Sequence, residues 1–248
     1  MLNKYIQPQR YVRRLKALAS SLARPITNYE AEALTDFVYQ KTLAFNRATA
    51  LDFDMGSERL LLAVSMASAG HSPGAPCRVL DFGGACGAQY KLATLLFDDL
   101  PFRWAVVETP SMVRKARALE TQSLKFFEDI SSALAWLESI DLANSNSVLQ
   151  YLKDPLQTVR QLLDLSPRIV LWERLMLSDG ATRADKQRTM LFNHGPGAVP
   201  AGFRNRPVVN DIIRLSRADF LAAHEARYRP RATTDEAGFS TYLFSRQG

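Results

Sequence analysis

The chain holds 248 residues, 47% of them hydrophobic and 23% charged, enough for one α/β domain with an appendage and too few for two full domains. No uncharged apolar run reaches the ~18–20 residues that span a bilayer, and the amino terminus lacks the apolar core of a signal peptide, which predicts a soluble, cytoplasmic protein. The two cysteines, Cys77 and Cys86, suggest neither a disulfide framework nor a metal cluster.

The net charge of +6 originates at the amino terminus. Residues 1–29 contain Lys4, Arg10, Arg13, Arg14, Lys16 and Arg24 and no acid, leaving 25 basic against 25 acidic residues in the rest. Tyr11, Leu15, Leu18 and Leu22 fall on one helical stripe with the basic residues mostly around it, so the tail reads as a short amphipathic helix that either meets an anionic membrane surface or docks on the main domain. From Asn28 the spacing of Leu34, Phe37 and Val38 predicts a helix, with Thr27 or Asn28 as its cap and Glu30 and Glu32 in its first turn. Residues 57–69 predict another, ended by Gly70, and HSPGAP breaks the pattern after it. Residues 1–74 are thus expected to be a tail and helical region that covers the site or packs on a sheet edge, ahead of an α/β domain over 75–248.

The stretch from Arg78 to Tyr90, RVLDFGGACGAQY, organises that domain. Val79, Leu80 and Phe82 predict a strand with Asp81 at its carboxyl end; Gly83, Gly84 and Gly87 follow, and Gln89 to Leu96 can be helical. A strand, a glycine-rich turn and a helix bring backbone N–H groups close to a ligand. A dinucleotide fingerprint would map onto Gly83, Ala85 and Ala88 and so lacks two of its three glycines. An acidic residue followed by G-x-G-x-G maps onto Asp81, Gly83, Ala85 and Gly87, with only the middle glycine replaced and Gly84 beside it to restore flexibility. This resembles the first motif of class I S-adenosylmethionine (SAM)-dependent methyltransferases.

Phe102 to Val107 predicts a second strand, and Glu108 stands at its end, 25 positions after Gly83. An acid there can accept hydrogen bonds from both ribose hydroxyls of a nucleoside. Pro110 opens a helix, Leu124 to Phe127 predicts strand three, and Ser131 to Glu138 the next helix. After strand four comes NSVLQYLKDP, in which Asp154 and Pro155 suit a helix start. Together DFGG-ACG, WAVVET and SVLQYLKDP resemble a bacterial family of methyltransferases without assigned acceptors, over roughly residues 75–175. Arg168 to Trp172 predicts strand five, followed by Glu173 and Arg174. Leu191 to Pro207 has too many breakers for regular structure and reads as a loop or lid. Ser216 caps a helix, and Tyr228 to Thr234 and Phe239 to Phe244 predict a closing hairpin, which argues against a standard dinucleotide dehydrogenase.

The fold expected is a Rossmann-like, seven-stranded methyltransferase sheet with its last strand antiparallel, its pocket at the carboxyl ends of strands one and four. The resemblance implies SAM as cofactor, held by Asp81, Phe82, Gly83, Gly84, Ala85 and Gly87 at its methionine half. It further implies Glu108 and Thr109 at the ribose, Asp129 and Ile130 at the adenine, and Leu149 and Gln150 after strand four; helix capping is the competing reading of Asp129. The acceptor expected is a small or carbohydrate-like molecule. An NAD-linked oxidoreductase, a non-catalytic nucleotide-binding module and a nucleic-acid methyltransferase are the alternatives, the last suggested only by the basic tail. For a hydroxyl acceptor the candidate bases are His194, whose ordinary pKa of ~6.5 suits proton transfer, Glu173 and Tyr151. His224 reads as a packing residue and His71 as a solvated one.

Overall fold

The computed structural model describes residues 24–46 and 57–247; the basic amphipathic helix expected over Tyr11–Leu22 lies outside them. Among the described residues two helices come first, α1 (Glu32–Ala44) and α2 (Ser57–Ser68), then an alternation of β1 (Cys77–Phe82), α3 (Ala88–Leu96), β2 (Phe102–Val107), α4 (Pro110–Ala116), β3 (Leu124–Phe127), α5 (Ile130–Leu137), β4 (Leu142–Asn146), α6 (Pro155–Asp164) and β5 (Ile169–Leu175). The chain continues through β6 (Leu177–Ser178), β7 (Arg183–Met190), β8 (Pro207–Ser216), α7 (Arg217–Glu225), β9 (Tyr228–Glu236) and β10 (Phe239–Arg246).

Among the described residues the main sheet has seven strands in the order β3-β2-β1-β4-β5-β10-β9. The first five are parallel, and β10 enters antiparallel between β5 and β9. Successive residues of a strand face opposite sides, so each central strand feeds two cores. Val79, Leu142, Leu171 and Leu243 pack with Leu34, Phe37, Leu60, Leu92 and Met112 on one side. Their neighbours Leu80, Ala143, Val170, Trp172 and Phe244 pack with Leu137, Val159, Leu162 and Phe220 on the other. Burial of each such Leu or Phe contributes about 1.5–3 kcal/mol, and two covered faces explain the near-continuous apolar runs of β1, β2 and β5.

Local signals act where they were read. Asp154 accepts the Gln157 N–H at 2.9 Å with Pro155 in the first turn of α6, and Ser216 accepts the Asp219 N–H at 3.4 Å to cap α7. The β9–β10 turn is Ala237–Gly238, both at positive φ (50° and 80°), as a two-residue hairpin of this twist requires. At the amino terminus the helix starts later than expected. Asn28 caps only a turn, accepting the Glu30 N–H at 2.9 Å, and α1 begins at Glu32 behind Ala31.

A second sheet, β6-β8-β7, was not anticipated. Its β7 (RADKQRTM) pairs antiparallel with β8 from Arg183↔Arg214 to Met190↔Pro207. The loop between them docks on α1: Phe192 stacks on Phe37 (5.6 Å between ring centres), Phe203 meets the same ring edge-on at 5.1 Å, and the Lys41 ammonium donates to the Gly195 carbonyl at 2.6 Å. Ile26 joins β8 as a short parallel bridge, through Ile26 N–H to Pro207 O (2.9 Å) and Val209 N–H to Ile26 O (2.8 Å). Residues 24–31 thus form a strap that runs from β8 toward the carboxyl ends of the main strands.

Candidate functional site

Gly83 and Gly87 take positive φ (both 77°), and between them Ala85, in the place of the middle glycine, also does (50°). A non-glycine residue there costs about 1–3 kcal/mol, so surrounding contacts must impose the shape. Gly84 does not supply flexibility, as the sequence suggested; it supplies room. A Cβ on Gly84 would lie 2.2 Å from Asp81 Oδ2, and one on Gly83 2.1 Å from Val148 Cγ2. The turn is pressed onto β1 and onto the segment after β4.

Glu108 holds the apex. Its Oε1 accepts the Ala85 N–H at 3.1 Å and its Oε2 the Thr109 N–H at 2.8 Å. Burial raises its pKa and these bonds oppose the rise. A carboxylate offers about four acceptor positions, so two remain for a ligand's hydroxyls.

Below the turn runs a buried polar chain. Asp81 Oδ2 accepts the Trp104 indole N–H at 3.1 Å, and its Oδ1 accepts the Asn144 amide at 2.7 Å. Asn144 also bonds Gln89 Oε1, and Gln89 Nε2 donates to Glu173 Oε1 at 3.4 Å. Burial pushes Asp81 up to about 7, against the bonds from Asn144 and Trp104. Glu173 was expected just past a strand; it is the fifth residue of β5 and wholly buried. Burial pushes it up to about 8, opposed by Arg59 and reinforced by Asp81. It does not pair with Arg174, whose Nε donates instead to Ser147 Oγ at 3.1 Å. Ser147 and Arg174 are both at positive φ (59° and 53°), so backbone strain gathers at the ends of β4 and β5, as it does at functional sites.

The chain is not fully satisfied. Glu173 Oε2, Asn144 Oδ1, Ser145 Oγ and both amide atoms of Gln150 are buried without a hydrogen-bond partner. Each such atom costs roughly 1–3 kcal/mol. Gln150 lies with Leu149 and Tyr151 in a 3-10 turn after β4, and Leu149 is buried with it.

Tyr29, at the end of the strap, covers this region. Its ring lies 5.4 Å from that of Tyr151 and 6.3 Å from that of His194. Burial raises its pKa, and the charges of Glu108, Tyr151 and Cys86 raise it further. Tyr151 donates its hydroxyl to Gln187 Oε1 on β7, and burial raises its pKa also. His194 is not the loop histidine with an ordinary pKa that the sequence suggested. It sits 2.9 Å from Thr189 Oγ1, and burial together with Lys41 lowers its pKa to about 4. The structure therefore brings Tyr29, Tyr151 and His194 to one wall and Glu173 to the floor.

Other assignments fall elsewhere. Asp129 caps α5, accepting the Ser132 N–H (2.8 Å) and hydroxyl (2.7 Å), and these bonds lower its pKa. With Phe82, Val107, Ile130 and Gln161 it lines a cleft of about 510 Å³ beside the ends of β1, β2 and β3. His224 is a core residue: Trp172 donates to its Nε2 at 2.8 Å, its Nδ1 meets the Phe220 carbonyl at 2.7 Å, and burial lowers its pKa to about 4. His71, expected to be solvated, is partly buried and faces Asp141 at 3.3 Å. Cys86 packs on Met112 Sδ at 3.4 Å, its thiol pushed by burial up to about 12. Sequence reasoning missed Tyr29, Asn144 and Gln187, which no local motif marks, and read Gln89 only as the start of a helix. Among the described residues no helix is long and apolar enough to cross a membrane.

The sequence matches no protein-family model and no curated protein. Among solved structures it is similar to DesVI of Streptomyces venezuelae, at 17% identity over 85% of this chain and 97% of that one, with a TM-score of 0.53. It is also similar to the glycopeptide N-methyltransferase MtfA complexed with sinefungin, at 13% identity over 90% of this chain and 99% of that one, with a TM-score of 0.50. The fold is the Rossmann-like, seven-stranded methyltransferase fold.

Proposed function

We propose that the protein is a SAM-dependent methyltransferase acting on a small-molecule or carbohydrate-like acceptor. The observation that carries this reading is the junction of the Gly83–Gly87 turn with Glu108, beneath Tyr29: an acidic strand end that grips the glycine turn and keeps acceptor positions for two hydroxyls. MtfA, described as an N-methyltransferase and bound to sinefungin, a SAM analogue, supports the choice of cofactor.

In this reading residues 75–248 bind the cofactor and the preceding segment covers it. Asp81, Phe82, Gly83, Gly84, Ala85 and Gly87 receive the methionine end, Glu108 and Thr109 the ribose, Asp129 and Ile130 the adenine, and Leu149 and Gln150 flank the sulfonium. SAM supplies an activated methyl group, so the chain's task is to exclude water and align the acceptor. Positioning of this kind supplies up to about 7–11 kcal/mol of barrier reduction.

The candidate bases differ in what their surroundings favour. His194 is neutral at pH 7 and so able to accept a proton, but burial and Lys41 oppose the imidazolium it would become. Tyr151 already donates to Gln187. Glu173, close to neutral pH in its ionisation and with Oε2 unpartnered, is the better-matched acid or base. Cytoplasmic location and contact of the basic tail with an anionic surface belong to the same proposal.

Calorimetric titration with SAM and with S-adenosylhomocysteine tests the cofactor. Micromolar binding of both is expected; no heat from either at millimolar concentration refutes the reading, and a titration of NADH fluorescence then tests the dinucleotide alternative.

A further inference from the structure

We propose that the inner face of the β7–β8 hairpin is the acceptor wall and that it takes an uncharged, polyhydroxylated acceptor of the saccharide class; this rests on the methyl-transfer reading above. Strand alternation and the register Gln187↔Asn210 and Thr189↔Val208 put Gln187, Thr189, Val208 and Asn210 on one face. Gln187 ties that face to the turn after β4 by accepting the Tyr151 hydroxyl. The wall therefore continues from the hairpin into Tyr151 and Gln150, which stand beside the cofactor loop.

The polar groups of this wall are amides and hydroxyls, and several lack partners. Asn210 is 8% exposed in a row with buried Val208 and Ile212, and its Nδ2 has no hydrogen-bond partner. Gln150 is 2% exposed with neither amide atom bonded. Gln187 Nε2 meets only a thioether, Met176 Sδ at 3.4 Å, a weak acceptor. An amide presents a donor and an acceptor in one plane, which suits neighbouring hydroxyls that each donate and accept. The charged pair on the same face is closed on itself, Arg214 Nε donating to Asp185 Oδ2 at 2.6 Å, and Arg183, the other charged residue of the row, is exposed at the far end of β7, so the stretch formed by Gln187, Thr189, Val208 and Asn210 carries no charge. Tyr29 now lies against Tyr151, and its displacement would leave an aromatic platform of the kind that receives the C–H face of a sugar ring. The strap that carries Tyr29 is joined to β8 by the two Ile26 hydrogen bonds, so its swing need not disturb the main sheet. An acceptor without hydroxyls would leave these amides unpaired, which a site built around them rejects.

The test is saturation-transfer NMR on the full chain loaded with S-adenosylhomocysteine, with methyl α-glucopyranoside and myo-inositol as probes and anisole, which has no hydroxyl, as the flat aromatic control. Saturation is expected to reach the polyol ring protons and not anisole. Asn210→Val and Gln187→Ala, each with S-adenosylhomocysteine affinity confirmed by calorimetry, are expected to weaken polyol binding about 10-fold or more, one lost hydrogen bond being worth about that much. The proposal is overturned by polyol signals of unchanged strength in both folded variants, by saturation of anisole alone, or by no signal from any probe while the cofactor product binds. A chain that does not bind the cofactor product refutes the methyl-transfer reading instead.

Discussion

The backbone N–H of Ala85 donates to Glu108 Oε1 at 3.1 Å, fixing the left-handed residue of the glycine turn to the end of the neighbouring strand. Because the same carboxylate also holds Thr109, replacing it loosens the glycine turn and the start of α4 together. Glu108→Ala is expected to weaken S-adenosylhomocysteine binding by about 10–100-fold, the worth of one or two hydrogen bonds to a charged group. Glu108→Gln, with one acceptor oxygen, should fall between. Calorimetry decides, and unchanged affinity in Glu108→Ala would contradict the role given to this side chain.

Gly83→Ala should destabilise the fold by about 2–4 kcal/mol, combining a strained positive φ with overpacking. The overpacking part has a named source, Val148, whose Cγ2 would lie 2.1 Å from the new Cβ. Adding Val148→Ala should therefore recover part of the loss. Urea unfolding of the single and double variants measures it; strictly additive losses would show that the clash is not what matters.

Acid should destabilise the protein between pH 6.5 and 4. His224 is buried with a pKa near 4 and His194 likewise, so over this window the unfolded chain binds protons that the folded chain refuses. Their contribution is intact above 6.5 and lost as pH falls to 4, on the order of 3 kcal/mol for fully buried His224. His224→Gln, which cannot be protonated, should flatten the slope of stability against pH; equal slopes would mean that His224 titrates normally in the fold.

Glu173 gives the opposite sign. Its folded pKa of about 8 exceeds the ordinary carboxylate value, so its contribution is intact below about pH 4.5 and lost as pH rises through 8. Glu173→Gln should be relatively more stable at pH 9 than at pH 5, by on the order of a few kcal/mol. Thermal unfolding of both proteins at the two pH values checks this, and a constant difference between them would mean an ordinary ionisation.

The main sheet was legible because its strands are covered on both faces and its turns use locally determined signals: Asp154 with Pro155, Ser216 as a cap, Gly238 in the hairpin. The second sheet was not. In β7, Arg183, Ala184, Lys186 and Arg188 are exposed, so no apolar face announces a strand; its pairing comes from β8. The glycine turn could be read from consecutive residues, whereas the wall proposed for the acceptor depends on groups distant in sequence. Burial, with Lys41 beside it, lowers the pKa of His194, Tyr29 covers Tyr151, and Gln89 links Asn144 to Glu173. Such juxtapositions depend on the packing of α1 and the β7–β8 loop, which local periodicity does not encode.

Tyr29 stands close to Glu108 on one side and to Tyr151 on the other, so a single ring guards both halves of the site. If both ligands pass it, they cannot come and go independently: the half-site that needs the ring in place must fill before the one that needs it aside. We therefore expect turnover to follow a compulsory order, with the acceptor loading onto the cofactor complex and S-adenosylhomocysteine leaving last. Product-inhibition kinetics would then show S-adenosylhomocysteine competing with SAM alone. In Tyr29→Ala that order should relax toward random addition, and a wild-type enzyme that already binds its two substrates at random would deny the ring any gating part.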